Sequence, residues 1–163
     1  MRALLPQAAR LGTLLKARKE TVAVAESAAG GLVSAALLAA PGASAYFIGG
    51  AVVYTAAARA GLLGITEEDM RNMRPSSPAY ASLLAERTRQ RFGTTWSIAE
   101  SGAAGPTGNR YGDPAGHACL AVAGPVALEH TLRTGQDGRE ENMLAFAAAL
   151  LSLLENAIAR AEE

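Results

Sequence analysis

The sequence predicts an α/β protein, a three-layer α/β/α arrangement around a mixed five-stranded sheet. Short apolar or β-branched segments alternate with segments of helical periodicity. The last two strand-like segments follow one another with only Gly124-Pro125 between them, so they pair as an antiparallel hairpin and make the sheet mixed. A length of 163 residues suits one domain with its own core, expected to span 1–163.

Leu4, Ala8, Leu11 and Leu15 recur at helical spacing and predict a helix over residues 3–19. Its basic end, Lys16-Ala17-Arg18-Lys19, complements the negative end of the helix dipole. Residues 21–25 (TVAVA) have the pattern of a strand buried on both faces. The small-residue turn Glu26-Ser27-Ala28-Ala29-Gly30-Gly31 leads into a helix over 32–40, stopped by Pro41-Gly42. Residues 46–54 read as a second strand, with Gly49-Gly50 marking a bulge or a close backbone contact. A helix over 55–63 is closed by Gly64, and Thr66-Glu67-Glu68-Asp69 reads as a cap with acidic first-turn residues. Ser77-Pro78, an N-cap followed by Pro at the first position, launches a helix to Phe92. Residues 96–100 give a third strand. Residues 102–116 carry too many Gly and Pro for helix or strand and form a long loop. Strands follow over 117–123 and 126–133. An Asx capping box over Asp137-Gly138-Arg139-Glu140 opens a last helix, whose buried stripe is Met143, Ala147, Leu150, Leu154 and Ile158.

Composition narrows the function. Half the residues are hydrophobic but only 5% aromatic, and 37 Ala with 17 Gly make small side chains a third of the chain, so elements can approach closely. Lys plus Arg equals Asp plus Glu at 15 each, which removes any bulk pull toward nucleic acid or an anionic membrane. The 15 cations comprise 13 Arg and two Lys, Lys16 and Lys19. One cysteine, Cys119, makes no internal disulfide and fits a reducing compartment. The first ten residues have no signal-peptide core and no stretch approaches the roughly 20 uncharged apolar residues of a membrane span, so a cytoplasmic location is expected.

Three segments follow strands that can end at one edge of the sheet: residues 26–31, 54–59 and 101–108. Ligand sites in open α/β sheets form beyond the carboxyl ends of strands. Ser27 reads from its position first as the N-cap of the helix after it, and second as a nucleophile with helix N–H groups nearby for an oxyanion. Gly30 and Gly31 can admit a phosphate or simply allow tight packing. The glycine loop is neither a Walker A element nor a dinucleotide fingerprint. His117 is a candidate base, and Cys119, two residues on, shares its face as a small core residue. No metal-ligand cluster is legible, and neither metal nor cofactor is expected.

Read in order, Ala25-Glu26-Ser27-x-x-Gly30-Gly31, Pro41-Gly42-Ala43-Ser44-Ala45-Tyr46-Phe47, Gly50-x-Val52-x-Tyr54, Leu63-Gly64-Ile65 and Ser101-Gly102-x-Ala104-Gly105-Pro106-x-Gly108 resemble the C-terminal domain family of the competence/damage-inducible protein CinA. The resemblance implies an α/β/α fold, homo-oligomers, and in active members a serine amidohydrolase that converts nicotinamide mononucleotide to nicotinate mononucleotide and ammonia. It implies Ser27, Tyr54 and Ser101 as catalytic candidates and Gly30, Gly31, Ser44, Arg59 and Gly105 as ligand-binding ones. The expected partner is a small molecule of the pyridine-nucleotide type.

The chain departs from the family's pattern at those same motifs. Cys-Thr after the nucleophile is Ala28-Ala29, and Ser-Asn-Glu-Ala-Lys is Thr55-Ala56-Ala57-Ala58-Arg59, so Arg59 stands where the resemblance puts the lysine base. A guanidinium has essentially no neutral form at neutral pH and cannot take the serine proton. Arg139 is the candidate to replace a downstream phosphate clamp. Three readings follow: a ligand-binding protein without deamidase activity, an enzyme with His117, Glu26 or Glu100 as the base, or an oligomeric interaction module.

Overall fold

The computed structural model describes residues 1–162; Glu163, the last residue of the expected domain range, lies outside them. The chain runs through a 3-10 turn (Arg2–Leu4), α1 (Leu5–Arg18), β1 (Val22–Glu26), α2 (Leu32–Leu38), a 3-10 turn (Ala43–Ala45), β2 (Phe47–Val52) and α3 (Ala56–Leu63). It continues through α4 (Pro78–Phe92), β3 (Trp96–Ala103), β4 (His117–Ala123), β5 (Leu128–Arg133) and α5 (Arg139–Arg160). The five strands form one sheet in the order β2-β1-β3-β4-β5. β1 is parallel to β2 and β3, whereas β4 is antiparallel to β3 and β5, so the sheet is mixed as the closing hairpin predicts.

Strand alternation divides the core in two. Val22, Val24, Trp96, Ile98, Leu120 and Val122 pack under α1, α2 and α5. Ala25, Ala99, Cys119, Ala121 and Ala123 pack under α4 with Leu84 and Tyr80. Each fully buried Leu or Ile contributes about 2 kcal/mol of transfer free energy. The small-residue composition has a direct use here. Gly12 in α1 lets the Tyr46 ring lie against the helix, and the Tyr46 hydroxyl donates to the Leu37 carbonyl at 2.5 Å, tying α1 to α2. At Gly49-Gly50 both sequence readings hold: the β1 register skips Ile48, a bulge, and Gly49 sits against the Phe92 ring.

Ser77 caps α4 by accepting from the Tyr80 N–H, with Pro78 at the first turn, as the sequence predicts. Four expectations need correction. β3 runs to Ala103 because its last residues pair with His117 and Ala118 of β4. β5 begins at Leu128, not 126. Thr66 and Asp69 bond each other's side chain and backbone, yet only a turn follows. α5 opens on Gly138 with no side-chain cap, so Asp137 does not form the capping box.

α5 is the segment that comes nearest to a membrane span by length and composition. Its 22 residues, with mean hydropathy 1.5 over the most apolar window, are long and apolar enough to cross a membrane. In this fold the apolar stripe Phe146, Leu150, Leu151, Leu154 and Ile158 is buried in the core against the sheet.

Candidate functional site

Because β1, β2 and β3 are parallel, their carboxyl ends meet at one edge, and a cavity of about 610 Å³ opens there. Ser27 after β1, Tyr54 and Arg59 after β2, and Ser101 near the end of β3 all line it. Segments far apart in the chain therefore converge for a topological reason visible in the sequence.

The turn after β1 is held from beneath by two carboxyl groups. Strand alternation puts Glu26 and Glu100 on the α1–α2–α5 face, and both are completely buried. Glu100 Oε2 accepts from the backbone N–H of Ser27 at 3.0 Å and of Ala29 at 2.8 Å. Glu26 accepts from the N–H of Gly31, Val33 and Ser34 and from the Ser34 hydroxyl. The Gly30 and Leu32 N–H groups bond the Ser27 and Ala29 carbonyls. The donors at the start of α2 are thus engaged within the protein. This overturns the reading in which they hold an oxyanion at Ser27. It also removes the capping role of Ser27: the cap residue of α2 is Gly31, at φ 98°, and Glu26 supplies the acceptor. Burial pushes the Glu100 carboxyl up to about 7, with the neighbouring Glu26 adding to the rise and the backbone donors opposing it.

The α4 side of the same edge is built differently. The Ser76 N–H donates to Ser101 Oγ at 3.2 Å, and the Ser76 carbonyl lies 3.0 Å from His117 Nε2. Arg74 donates to both carboxylate oxygens of Asp113, at 2.8 and 3.2 Å, fastening the segment before α4 to the glycine-rich loop. That hydrogen-bonded pairing holds the Asp113 carboxyl below its ordinary range. Asn109 also donates to Asp113, which closes the loop on itself. The buried Cys119 thiol is pushed up by burial and acts as a core residue.

Arg59 is the exception to this pairing. Its residue is only 8% exposed, its Nε has no hydrogen-bond partner, and its guanidinium lies 5.8 Å from the Tyr80 ring centroid. The carboxylate nearest it, Glu67, is 3.6 Å away on a side chain that is 88% exposed. Arg110 also lines the cavity and has no carboxylate partner among the described residues; it lies 5.1 Å from the Tyr111 ring centroid. Arg139 donates to the Gly105 carbonyl at 2.6 Å and to the Tyr54 hydroxyl at 3.1 Å. It anchors Tyr54 and does not line the cavity.

The structure therefore brings together Ser27, Tyr54, Arg59 and Ser101. Gly30 and Gly31 shape the turn but do not line the cavity. Gly105 is buried beneath Arg139, and Ser44 lies in the 3-10 turn before β2, at the opposite end of that strand. Glu26, Glu100 and His117 are also absent from the lining. Glu26, Glu100 and His117 bond other groups and none of them bonds the Ser27 hydroxyl, so the geometry gives no support to the reading that makes one of these three the base. Lys16 donates to the Pro41 carbonyl and Lys19 ends α1, both before β1 begins. Sequence reasoning missed Arg74, Tyr80, Arg110 and Tyr111. A legible signal existed for the last two: Arg110-Tyr111 is a cation and an aromatic together in an otherwise small-residue loop.

Fold and site define an α/β/α protein with an arginine-bearing cavity at the carboxyl edge of three parallel strands. The chain belongs to the family of the CinA C-terminal domain, whose sequence model matches residues 5–158. It is 47% identical over 112 residues to a CinA-like protein of Prochlorococcus marinus (strain MIT 9313), covering 69% of this chain and 26% of that protein. A CinA-like protein of Desulfosudis oleivorans is 36% identical over 148 residues, covering 90% of this chain and 36% of the relative. The chain thus spans about a quarter to a third of the curated relatives it matches. Among solved structures, the competence/damage inducible protein CihA from Agrobacterium tumefaciens superposes with a TM-score of 0.88 at 31% identity, covering 94% of each chain. A CinA superfamily protein from Klebsiella pneumoniae gives a TM-score of 0.90 at 25% identity, covering 96% of this chain and 98% of that one.

Proposed function

We propose that this chain is an anion-binding member of its family: the cavity takes a small, phosphorylated, nucleotide-like molecule on Arg59 and does not hydrolyse the amide of nicotinamide mononucleotide. The observation that carries the reading is Arg59 itself, a largely buried cation in the cavity wall whose guanidinium has only an exposed glutamate, 3.6 Å away, as a counter-charge. A largely buried guanidinium without a close carboxylate is stabilised by an anionic ligand.

Three facts support the absence of the hydrolysis. Both lysines lie on α1, away from the cavity, so no serine–lysine pair forms. The backbone donors that would hold an oxyanion at Ser27 are engaged by Glu26 and Glu100. Tyr80, which lines the same cavity, has its phenol pushed up by burial and is no base near neutral pH.

A melting experiment tests the binding. The chain is heated with a panel of pyridine mononucleotides, ADP-ribose and related phosphates, alongside Arg59→Met. A ligand at 100 times its Kd stabilises the fold by about 2.7 kcal/mol, a readable shift. The expected result is a shift for at least one phosphorylated ligand in the parent chain and none in Arg59→Met; equal shifts in both contradict the reading.

A second role, self-association, has one observation in its favour. β2 is an edge strand on which Ile48 and Val52 are 48% and 43% exposed, and it offers unpaired backbone groups to a second copy. Sedimentation of the parent against Ile48→Lys tests it: a dimer lost in the variant is expected, and an unchanged mass in both contradicts it. An interaction module without a ligand is disfavoured, because that reading calls for a filled cleft and the cavity is open.

A further inference from the structure

We propose that His117 is a positioning residue of the cavity: acting through Ser76, it fixes Ser101 as a hydrogen-bond donor to the bound anion. The proposal rests on the anion-binding reading above and adds an uncharged group that recognises the ligand.

Strand alternation puts Ser101 of β3, and His117 and Cys119 of β4, on the face covered by α4, with Ser101 opposite Cys119 in the register. The three side chains meet one residue, Ser76, in the segment before α4. Ser76 is buried, lines the cavity and has φ 57°, a left-handed conformation that residues other than glycine adopt at a cost. Such a conformation persists where its surroundings hold it. Here both backbone polar groups of Ser76 are held. Its N–H donates to Ser101 Oγ at 3.2 Å, and its carbonyl lies 3.0 Å from His117 Nε2.

A carbonyl oxygen only accepts, so His117 Nε2 carries the hydrogen of that bond. Two other groups approach the same carbonyl, and neither replaces His117. Arg74 Nη1 reaches it at 3.3 Å but is committed to Asp113 at 2.8 Å, and the Cys119 thiol, at 3.5 Å, is a weak donor. The Asp113 carboxylate, 3.6 Å from the same imidazole nitrogen, lies beyond hydrogen-bond length.

The consequence falls on Ser101. A serine oxygen accepts through its lone pairs and donates through one hydrogen. The Ser76 N–H occupies the accepting side, and Ser101 Oγ makes no other bond among the described residues. Its hydrogen is left for a partner in the cavity that Ser101 lines. An acceptor oxygen of an anion meets that need, and a hydrogen bond to a charged group is stronger than one to a neutral group. Without the His117 bond, Ser76 relaxes out of its left-handed conformation and its N–H no longer orients Ser101.

Hydrogen exchange of the Ser76 amide and titration with inorganic phosphate, both followed by NMR on the whole chain, test this. His117→Gln keeps an N–H donor at the Nε2 position, whereas His117→Leu removes it. The Ser76 amide is expected to exchange at least about tenfold faster in His117→Leu than in the parent or His117→Gln, with the amides of β1 unchanged. Phosphate is expected to bind about tenfold more weakly to Ser101→Ala and to His117→Leu, and to recover in His117→Gln. The double variant is expected to bind it no more weakly than Ser101→Ala alone. Equal Ser76 exchange in His117→Leu and His117→Gln overturns the positioning role whatever phosphate does. A further loss of affinity in the double variant also overturns it, since His117 then acts apart from Ser101. Absence of phosphate binding by the parent overturns Ser101 as the anion's donor, and the melting panel above decides the anion-binding reading separately. Should His117→Leu fail to fold, His117→Asn, whose amide nitrogen falls short of the Ser76 carbonyl, is expected to show the same losses.

Discussion

The two faces of the sheet meet the same cavity with opposite arrangements of charge. On the α1–α2–α5 face, Glu26 and Glu100 are entirely buried and accept from the backbone N–H groups of residues 27–34, Glu100 through Oε2 alone, its Oε1 having no partner. On the α4 face, Arg74 is closed by Asp113, but Arg59 has only the exposed Glu67, 3.6 Å away, as a counter-charge. The first region uses buried charge to build a turn. The second holds charge in reserve. A buried charge is costly unless it is paired, so one without a close counter-charge at a cavity is a pointer to a ligand, whereas one that binds the protein's own backbone is a pointer to architecture.

The comparison breaks most visibly if the carboxyl groups are not structural. Glu26→Ala leaves the N–H groups of Gly31, Val33 and Ser34 without acceptors and is expected to destabilise the fold by about 4 kcal/mol in urea unfolding. A loss under about 1 kcal/mol would remove Glu26 as the support of the turn.

Glu100 gives the next largest effect and one with a pH signature. Its carboxyl sits near 7 when folded and near its ordinary 4.5 when unfolded, so between those values the folded chain keeps a proton that the unfolded chain releases. Stability therefore falls as pH rises through that window. Glu100→Gln, which mimics the protonated form, is expected to be more stable than the parent by about 3 kcal/mol above pH 7, with the difference vanishing below pH 4.5. Parallel stability curves for the two proteins across this range would contradict the account.

Asp113→Asn sharpens the other side. The Asp113 carboxyl is held below its ordinary 3.8, so its contribution is present above that value and disappears as pH falls below it. With Arg74 partly exposed, the loss at neutral pH is expected to be about 1 kcal/mol, measured by thermal melting. Arg59→Met is expected to change stability least, by under about 1 kcal/mol, because the side chain it removes has an unfilled buried donor. A large loss there would make Arg59 an architectural residue and erase the contrast.

The sequence carried the frame of this picture well. Local signals, the TVAVA strand, the Ser77-Pro78 start and the Gly124-Pro125 hairpin, lead directly to three strands ending at one edge, and so to Ser27, Tyr54, Arg59 and Ser101 sharing a cavity. It failed where partners are distant in the chain. The bond from Glu100 to Ser27 spans 73 residues and that from Arg74 to Asp113 spans 39, so neither leaves a local pattern. Ser before a helix is a common cap, whereas here a buried glutamate one residue earlier takes the donors. Motif order alone points to Ser44, and the fold puts it at the far end of β2.

Ammonia release tests the central claim most directly. The chain is incubated with nicotinamide mononucleotide at a concentration that saturates its melting shift, with Ser27→Ala alongside. The account predicts no ammonia above the protein-free control from either protein. Steady ammonia production by the parent chain that Ser27→Ala abolishes would contradict it.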